Sequence, residues 1–190
     1  MKDSKQILRQ KMLLLRSQLD PDYVEMSDSA IIQNIIESPI YQSSKVIFCF
    51  VSMEGEVNTR PLIEDALSKG KTACVPKVIS KGRMEAFRID SFDDFEISSF
   101  GIEEPKEGSQ LIDPNQIDLG IIPNVVVSKD GYRLGYGGGF YDRYLLRTKL
   151  YRLAVCREQL VQDQIPIESH DQRLDAIVTE LGIQNINELL

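Results

Sequence analysis

A single three-layer α/β/α domain over residues 1–190, built on a mostly parallel central sheet, is the fold class this sequence predicts. Two observations carry that expectation. Short apolar runs of strand length alternate along the chain with amphipathic helical stretches, the pattern of a layered sheet covered by helices. The 190 residues are 42% hydrophobic and 27% charged, with no repeat, low-complexity tract or clear linker, as expected for one ordinary globular domain. A chain of this length buries roughly 70% of its unfolded surface, enough for a sizeable core.

The elements follow in order. Residues 4–19 read as a helix, because Leu8, Met12, Leu15 and Leu19 form an apolar stripe at helical spacing. Lys5 and Arg9, four apart, share another face of it. Asp20-Pro21 supplies an N-cap and a proline at the first helical position. The helix it opens runs to about Glu37, with Val24, Ile31, Ile32, Ile35 and Ile36 inward, and Pro39 ends it. Residues 46–51 have strand length, Thr59 caps a helix holding Leu62, Ile63, Ala66 and Leu67, and Gly70 closes that helix. Residues 72–75 and 84–89 are strands, and residues 90–116 are mostly loop with a short helix near Phe92 and Phe95. Apolar runs at 119–122 and 125–127 flank Pro123-Asn124. A helix over 140–150, strands at 153–156 and 176–179, and a short terminal helix over 181–190 complete the pattern.

Composition removes several functional classes. Lys plus Arg number 22 against 29 Asp plus Glu, a net charge of −7, whereas a generic nucleic-acid binder carries a basic excess. His170 is the sole histidine, so a two-histidine zinc site is impossible within one chain. Cys49, Cys74 and Cys156 form no CxxC pair and sit in apolar runs, where they read as reduced, small core residues of an intracellular protein. The N-terminus is polar and no apolar run approaches ~20 residues, so neither secretion nor membrane spanning is expected.

The richest stretch is Gly131-Tyr132-Arg133-Leu134-Gly135-Tyr136-Gly137-Gly138-Gly139-Phe140-Tyr141-Asp142-Arg143. Four glycines in five residues let the backbone take positive φ and approach a ligand closely. Amides at the following helix start would face an anion, Arg133 and Arg143 offer charge suited to phosphate, and Asp142 suits a magnesium ion. Neither GxxxxGK[ST] nor a complete GxGxxG is present, since Phe140 stands where the last glycine belongs. Taken by itself, a glycine-rich turn is more often a tight strand-to-helix connection than a ligand cradle. The flanking Arg, Tyr and Asp side chains favour the ligand cradle, because a simple turn needs none of them.

The string from Arg133 to Leu145, RLGYGGGFYDRYL, resembles the signature of the 5-formyltetrahydrofolate cyclo-ligase (methenyltetrahydrofolate synthetase) family. Other matching features occur in order. Lys5 and Arg9 form a K-x-x-x-R helix, and Val51 to Thr59 look like the segment carrying the family's folate-site glutamate. Gly70-Lys71 with Val75-Pro76-Lys77 resembles its GK…P-[RK] strand, and His170-Asp171, Asp175 and Thr179 its HD…D…T segment. Asn58, where an acid is common, and Phe140, where a tyrosine is frequent, depart from the pattern.

What the resemblance implies is specific. Lys5, Gln6, Ile7, Leu8 and Arg9 lie against ATP; Arg133, Leu134, Gly135, Tyr136, Gly137, Gly138, Gly139, Phe140 and Tyr141 wrap its phosphates. Val51 and Glu56 contact the folate, which Tyr136, Gly137, Gly138, Gly139 and Phe140 also border. Asp142 and Asp171 are the implied Mg2+ ligands, and Arg133, Tyr141 and Lys5 the catalytic groups. The implied reaction uses ATP to phosphorylate the N5-formyl oxygen of 5-formyltetrahydrofolate. N10 then attacks the activated carbon, and 5,10-methenyltetrahydrofolate forms with ADP and phosphate. Such chemistry asks for positioning and charge neutralisation, not for a histidine or cysteine nucleophile. Glu56, acceptor-only when ionised, suits the pterin N–H donors. The expected partners are ATP and the folate, with or without a polyglutamate tail. The expected setting is a cytoplasmic monomer or weak homodimer with no nucleic acid and no membrane.

Each position also has a plainer reading. Lys5 and Arg9 could be a solvated face, Glu56 a solvent-facing loop residue, His170-Asp171 a loop pair and Asp142 a helix-start acid. Their joint match to one family in sequence order favours the functional reading. A ligase acting on another pterin or formamide, and a non-catalytic folate or nucleotide binder, are the competing functions. The intact string with Asp142 and Lys5 speaks against a degenerate binder.

Overall fold

The computed structural model describes residues 2–98 and 101–186. The chain begins with α1 (Lys2–Ser17), α2 (Pro21–Glu37) and the short α3 (Pro39–Ser43). β1 (Val46–Cys49), α4 (Arg60–Ser68), β2 (Thr72–Ser80) and β3 (Arg83–Ile89) follow. Then come the small strands β4 (Phe95–Ile97), β5 (Glu103–Pro105) and β6 (Leu111–Ile112), and the central β7 (Leu119–Ile122). β8 (Val126–Val127), β9 (Arg133–Leu134), α5 (Phe140–Leu145), β10 (Tyr151–Val155), β11 (Ala176–Thr179) and β12 (Gly182–Asn185) complete it.

Eight strands form one sheet in the order β12-β11-β10-β7-β1-β2-β3-β6. The five from β11 to β2 run parallel, while β12, β3 and β6 add antiparallel edges. The sheet is therefore mostly parallel at its centre, as expected. Strand alternation sends successive side chains to opposite faces. Phe48, Cys74, Ile122, Ala154 and Ile177 point to one core, shared with Met12 of α1 and Tyr144 and Leu145 of α5. Ile47, Cys49, Ala73, Leu119, Ile121 and Val178 point to the other, shared with α2, α3 and α4. Helices thus cover both faces, giving three layers.

Local chemistry explains the boundaries. Asp20 Oδ1 accepts the Asp22 and Tyr23 amides at 2.9 and 3.2 Å, and Pro21 opens α2. Ile31, Ile32 and Ile35 of α2 are buried, each contributing roughly 1.5–3 kcal/mol. All three cysteines are buried free thiols, and burial pushes Cys49 and Cys156 up to about 12.

Several expectations need correction. Pro39 does not merely end a helix: Ser38 closes α2 and caps α3, whose first residue is Pro39. Thr59 makes no side-chain cap; its hydroxyl donates to the Phe50 carbonyl at 2.7 Å and ties the ends of the loop after β1. The helix expected over 140–150 stops at Leu145. β2 extends to Ser80 and pairs with β3 as an antiparallel hairpin. The stretch 90–116 contains β4, β5 and β6 besides the expected short helical turn at Phe92–Asp94. The terminal helix is overturned where residues are described: Gly182–Asn185 is a strand paired with β11, and residues 187–190 of that expectation lie outside the described residues. Among the described residues, no helix is long and apolar enough to cross a membrane.

Candidate active site

β1 leads to β2 on one side of the sheet, and β7, its other neighbour, leads to β10 on the opposite side. The β1/β7 border is therefore a topological switch point, and in open α/β sheets ligands bind beyond the carboxyl ends of strands at such a point. Three of the segments singled out for chemistry emerge from that edge, and α1 brings Lys5 and Arg9 to them. Val51 and Glu56 follow β1, Arg133 to Arg143 lie between β7 and β10, and His170-Asp171 follows β10.

A cleft of about 530 Å³ opens there, the size of a small-molecule site. Its walls include Lys5, Gln6 and Arg9 of α1, Pro123, the whole run from Arg133 to Arg143, and Glu168, His170 and Asp171. Four cations and three carboxylates thus converge on one space. Residues separated by more than 160 positions meet directly: Lys5 Nζ lies 2.6 Å from Asp171 Oδ2 and 3.0 Å from Glu168 Oε2. Burial pulls the Lys5 ammonium down, but these two carboxylates outweigh it and raise its pKa overall. Glu168 is lowered in turn, first by its hydrogen bond from Lys5.

The glycine loop is shaped by its neighbours. Gly137 has φ 101° and lies against the Arg9 guanidinium, where a Cβ would come within 3.4 Å. Gly139, at φ 64°, is the N-cap of α5, and a Cβ there would sit 2.8 Å from Arg143 Nη1. Arg9 Nε donates to the Gly135 carbonyl at 2.8 Å, and Arg143 Nε to the Gly82 carbonyl at 2.6 Å. Arg133 is the most enclosed cation of the cleft. Its side chain is 3% exposed, pairs with Asp142 at 2.7 Å and stacks 5.5 Å from the Tyr141 ring centre. Its Nε is buried without a partner, a donor left over at the wall of the cleft. Burial lowers its pKa. Tyr141 is held well above the ordinary tyrosine value, first by burial and then by Glu56, so its hydroxyl stays protonated. Tyr141 and Tyr144 share a helix face, packing on Phe48 at 6.1 and 5.1 Å.

Other expected contacts lie elsewhere. Ile7 is 65% exposed and Leu8 packs into the core, because positions 5, 6 and 9 of a helix share a side that 7 and 8 do not. Val51 packs among the residues against α2 and α4 and does not line the cleft. Glu56 is buried beside it, joined to the glycine loop by the Tyr136 hydroxyl, which donates to Glu56 Oε1 at 2.9 Å. Asp142 lines the cleft, but its Oδ1 is engaged by Arg133. Among the described residues, the group whose ligand atoms converge within 4.8 Å is Glu168, His170 and Asp171.

Two polar residues escaped the sequence reading. Glu168 stands two positions before His170, close enough to have been weighed with it. Arg16 falls on the same helical face as Lys5 and Arg9, and its Nη1 donates to the Tyr136 hydroxyl at 3.0 Å. Its Nη2 takes the carbonyls of Asn124 and Val125 at 2.6 and 3.2 Å. Helical spacing alone would have found it.

Fold and cleft define an α/β protein with a glycine-rich, cation-walled pocket at the carboxyl edge of its sheet, suited to an anionic ligand. Comparison with known proteins narrows the class. The sequence model of the 5-formyltetrahydrofolate cyclo-ligase family matches residues 1–180. The 5-formyltetrahydrofolate cyclo-ligase of Mus musculus is 32% identical over 161 residues, 78% of this chain and 79% of its own. The NMR structure of Aquifex aeolicus 5,10-methenyltetrahydrofolate synthetase superposes with a TM-score of 0.86 at 31% identity, covering 96% of this chain and 92% of that one. The 5,10-methenyltetrahydrofolate synthetase of Mycoplasma pneumoniae gives a TM-score of 0.76 at 25% identity, over 93% and 98% of the two chains. The chain belongs to the 5-formyltetrahydrofolate cyclo-ligase family, a family of enzymes.

Proposed function

We propose that this protein converts 5-formyltetrahydrofolate to 5,10-methenyltetrahydrofolate with ATP and Mg2+, releasing ADP and phosphate. The observation that carries this reading is the single cleft in which Lys5 and Arg9 meet the loop from Arg133 to Asp142 and the pair His170-Asp171. In this reading Lys5, Arg9 and Arg133 hold the phosphates, with the loop amides of Gly137 to Gly139 close by. The γ-phosphoryl group passes to the formyl oxygen, N10 bonds to the formyl carbon and releases its proton to solvent, and the carbon–oxygen bond to phosphate breaks. Arg133, Lys5 and the neutral Tyr141 hydroxyl stabilise the charge that moves onto oxygen. Glu56 and Tyr136 face the folate, and Val51 supports the loop that carries Glu56.

The residues fit a divalent cation. Glu168 and Asp171 are hard oxygen donors, His170 stands beside them, and a cationic ammonium already sits on the pair. Glu168 therefore joins Asp171 in the proposed ligand set, with Asp142 holding Arg133 across the cleft. When bound there, Mg2+ neutralises phosphate oxygens. Residues 1–180 match one family model and the described strands β1–β3, β6, β7 and β10–β12 share one sheet, which supports one domain over 1–190. We place the enzyme in the cytoplasm as a monomer or weak homodimer; one relative, from Arabidopsis thaliana, is named as mitochondrial.

The test is spectroscopic. Purified, folded protein should generate the methenyl absorbance only when ATP, Mg2+ and 5-formyltetrahydrofolate are present together. No signal from that complete mixture overturns the proposal.

A further inference from the structure

The loop after β1 carries Glu56; Ser52 and Thr59 tie its ends, but its tip is open to solvent. Met53, Glu54 and Gly55 are exposed, and Gly55 turns at φ 82°. A second restraint comes from Arg157, which stands just past the end of β10 and lies outside the main cleft. Its side chain is 2% exposed. Nη1 donates to the Gly55 carbonyl at 2.9 Å and Nη2 to the Glu56 carbonyl at 3.0 Å. Nε and Nη2 also reach the two carboxylate oxygens of Asp28 on α2, at 2.8 and 3.0 Å. Asp28 Oδ2 accepts the Asn58 amide at 3.0 Å, so the far side of the loop is tied to the same pair.

The effect reaches the carboxylate of Glu56. With the backbone at 55, 56 and 58 held, Glu56 Oε2 accepts the Met53 amide at 2.9 Å and Oε1 faces the Tyr136 hydroxyl. A buried bidentate guanidinium is suited to this, because its donors lie in one rigid plane and reach two carbonyls and a carboxylate together. A lysine has no such fork.

We propose that Arg157 is a positioning residue for folate recognition: with Asp28, it fixes the backbone from Gly55 to Asn58 and so aims Glu56 at the substrate. This rests on the reading of Glu56 as a folate contact. The experiment uses the full chain with Arg157→Lys, and Asp28→Asn as a second variant that keeps shape and an acceptor. Amide hydrogen exchange across residues 52–58 should quicken about tenfold or more in either variant, while the loop from 133 to 143 keeps its rates, as loss of charged hydrogen bonds predicts. Unchanged exchange at 52–58 overturns the proposal.

In kinetics, the KM for 5-formyltetrahydrofolate should rise about tenfold, with kcat and the KM for ATP within about twofold. In a Glu56→Gln background, Arg157→Lys should add no further rise. An equal further rise there, or an equal loss at the ATP site, means Arg157 serves the scaffold at large and overturns the positioning role. If Glu56→Gln alone leaves the folate KM unchanged, it is the folate reading of Glu56 that fails. The exchange data then still decide whether Arg157 holds the loop.

Discussion

At the scale of single residues, the pair Arg133 and Asp142 shows how a fold redistributes roles. In sequence the two read as a phosphate ligand and a metal ligand. In space they form an ion pair at 2.7 Å, with the arginine nearly enclosed. Deleting the acid strands a buried cation. Asp142→Ala should therefore cost about 3 kcal/mol and lower the melting temperature by roughly 10 °C, which calorimetry can check. Arg133→Lys keeps a charge but loses the planar donors, and turnover should fall on the order of a hundredfold with a smaller change in melting. Normal turnover in the lysine variant removes Arg133 from the chemistry. The glycine string, Lys5, Arg9 and Asp171 were legible because they match one family's pattern in sequence order. Arg157 and Glu168 were not, because an isolated arginine or glutamate carries no pattern until the fold gives it a partner.

Among the elements, legibility tracked burial. The core-facing strands β1, β7, β10 and β11 and the helices α1, α2 and α4 show strong apolar periodicity and lie close to where it places them. The edges do not. The distal half of β2 follows Pro76 and lacks an inward-outward alternation, so backbone pairing with β3 decides instead. β12 follows the same logic: Gly182, at φ 127°, turns the chain back onto β11, overriding a weakly helical composition. The β2–β3 hairpin is also tied to the residues after α5. Buried Glu85 accepts from Arg147 Nη1 and Nη2 at 3.0 Å and from Arg83 Nε at 3.0 Å. Burial pushes the Glu85 carboxyl up, but the arginines prevail and hold it below its ordinary 4.5. A lowered folded pKa means stability present above the unfolded value and lost as pH falls through the folded one. Glu85→Gln should thus cost about 1 kcal/mol at pH 7, and the gap to the unmodified protein should close below pH 4.5 in denaturant titrations. A gap independent of pH contradicts the ion-pair account.

For the molecule as a whole, the net charge of −7 conceals a cleft where basic groups from the N-terminal helix and the glycine loop converge. α1 and the segment after β10 touch through Lys5, Glu168 and Asp171, one ammonium against two carboxylates. That leaves the group short of one positive charge, which a divalent cation carrying a nucleotide would supply while Lys5 turns to the phosphates. Binding would then fasten the N-terminal helix, the glycine loop and the last loop of the sheet to one ligand, so the gain appears in global stability. At about a hundred times its dissociation constant, Mg2+ with a non-hydrolysable ATP analogue should stabilise the fold by about 2.7 kcal/mol. For a chain of this size that is a rise of roughly 5–10 °C in melting temperature. Analogue with chelator, or Mg2+ alone, should give a small fraction of it. Lys5→Met should lose a large part of the rise with Mg2+ and analogue present, because the phosphates lose their ammonium partner. An equal rise with and without Mg2+ separates nucleotide binding from the carboxylate cluster, and an undiminished rise in Lys5→Met takes α1 out of the nucleotide site.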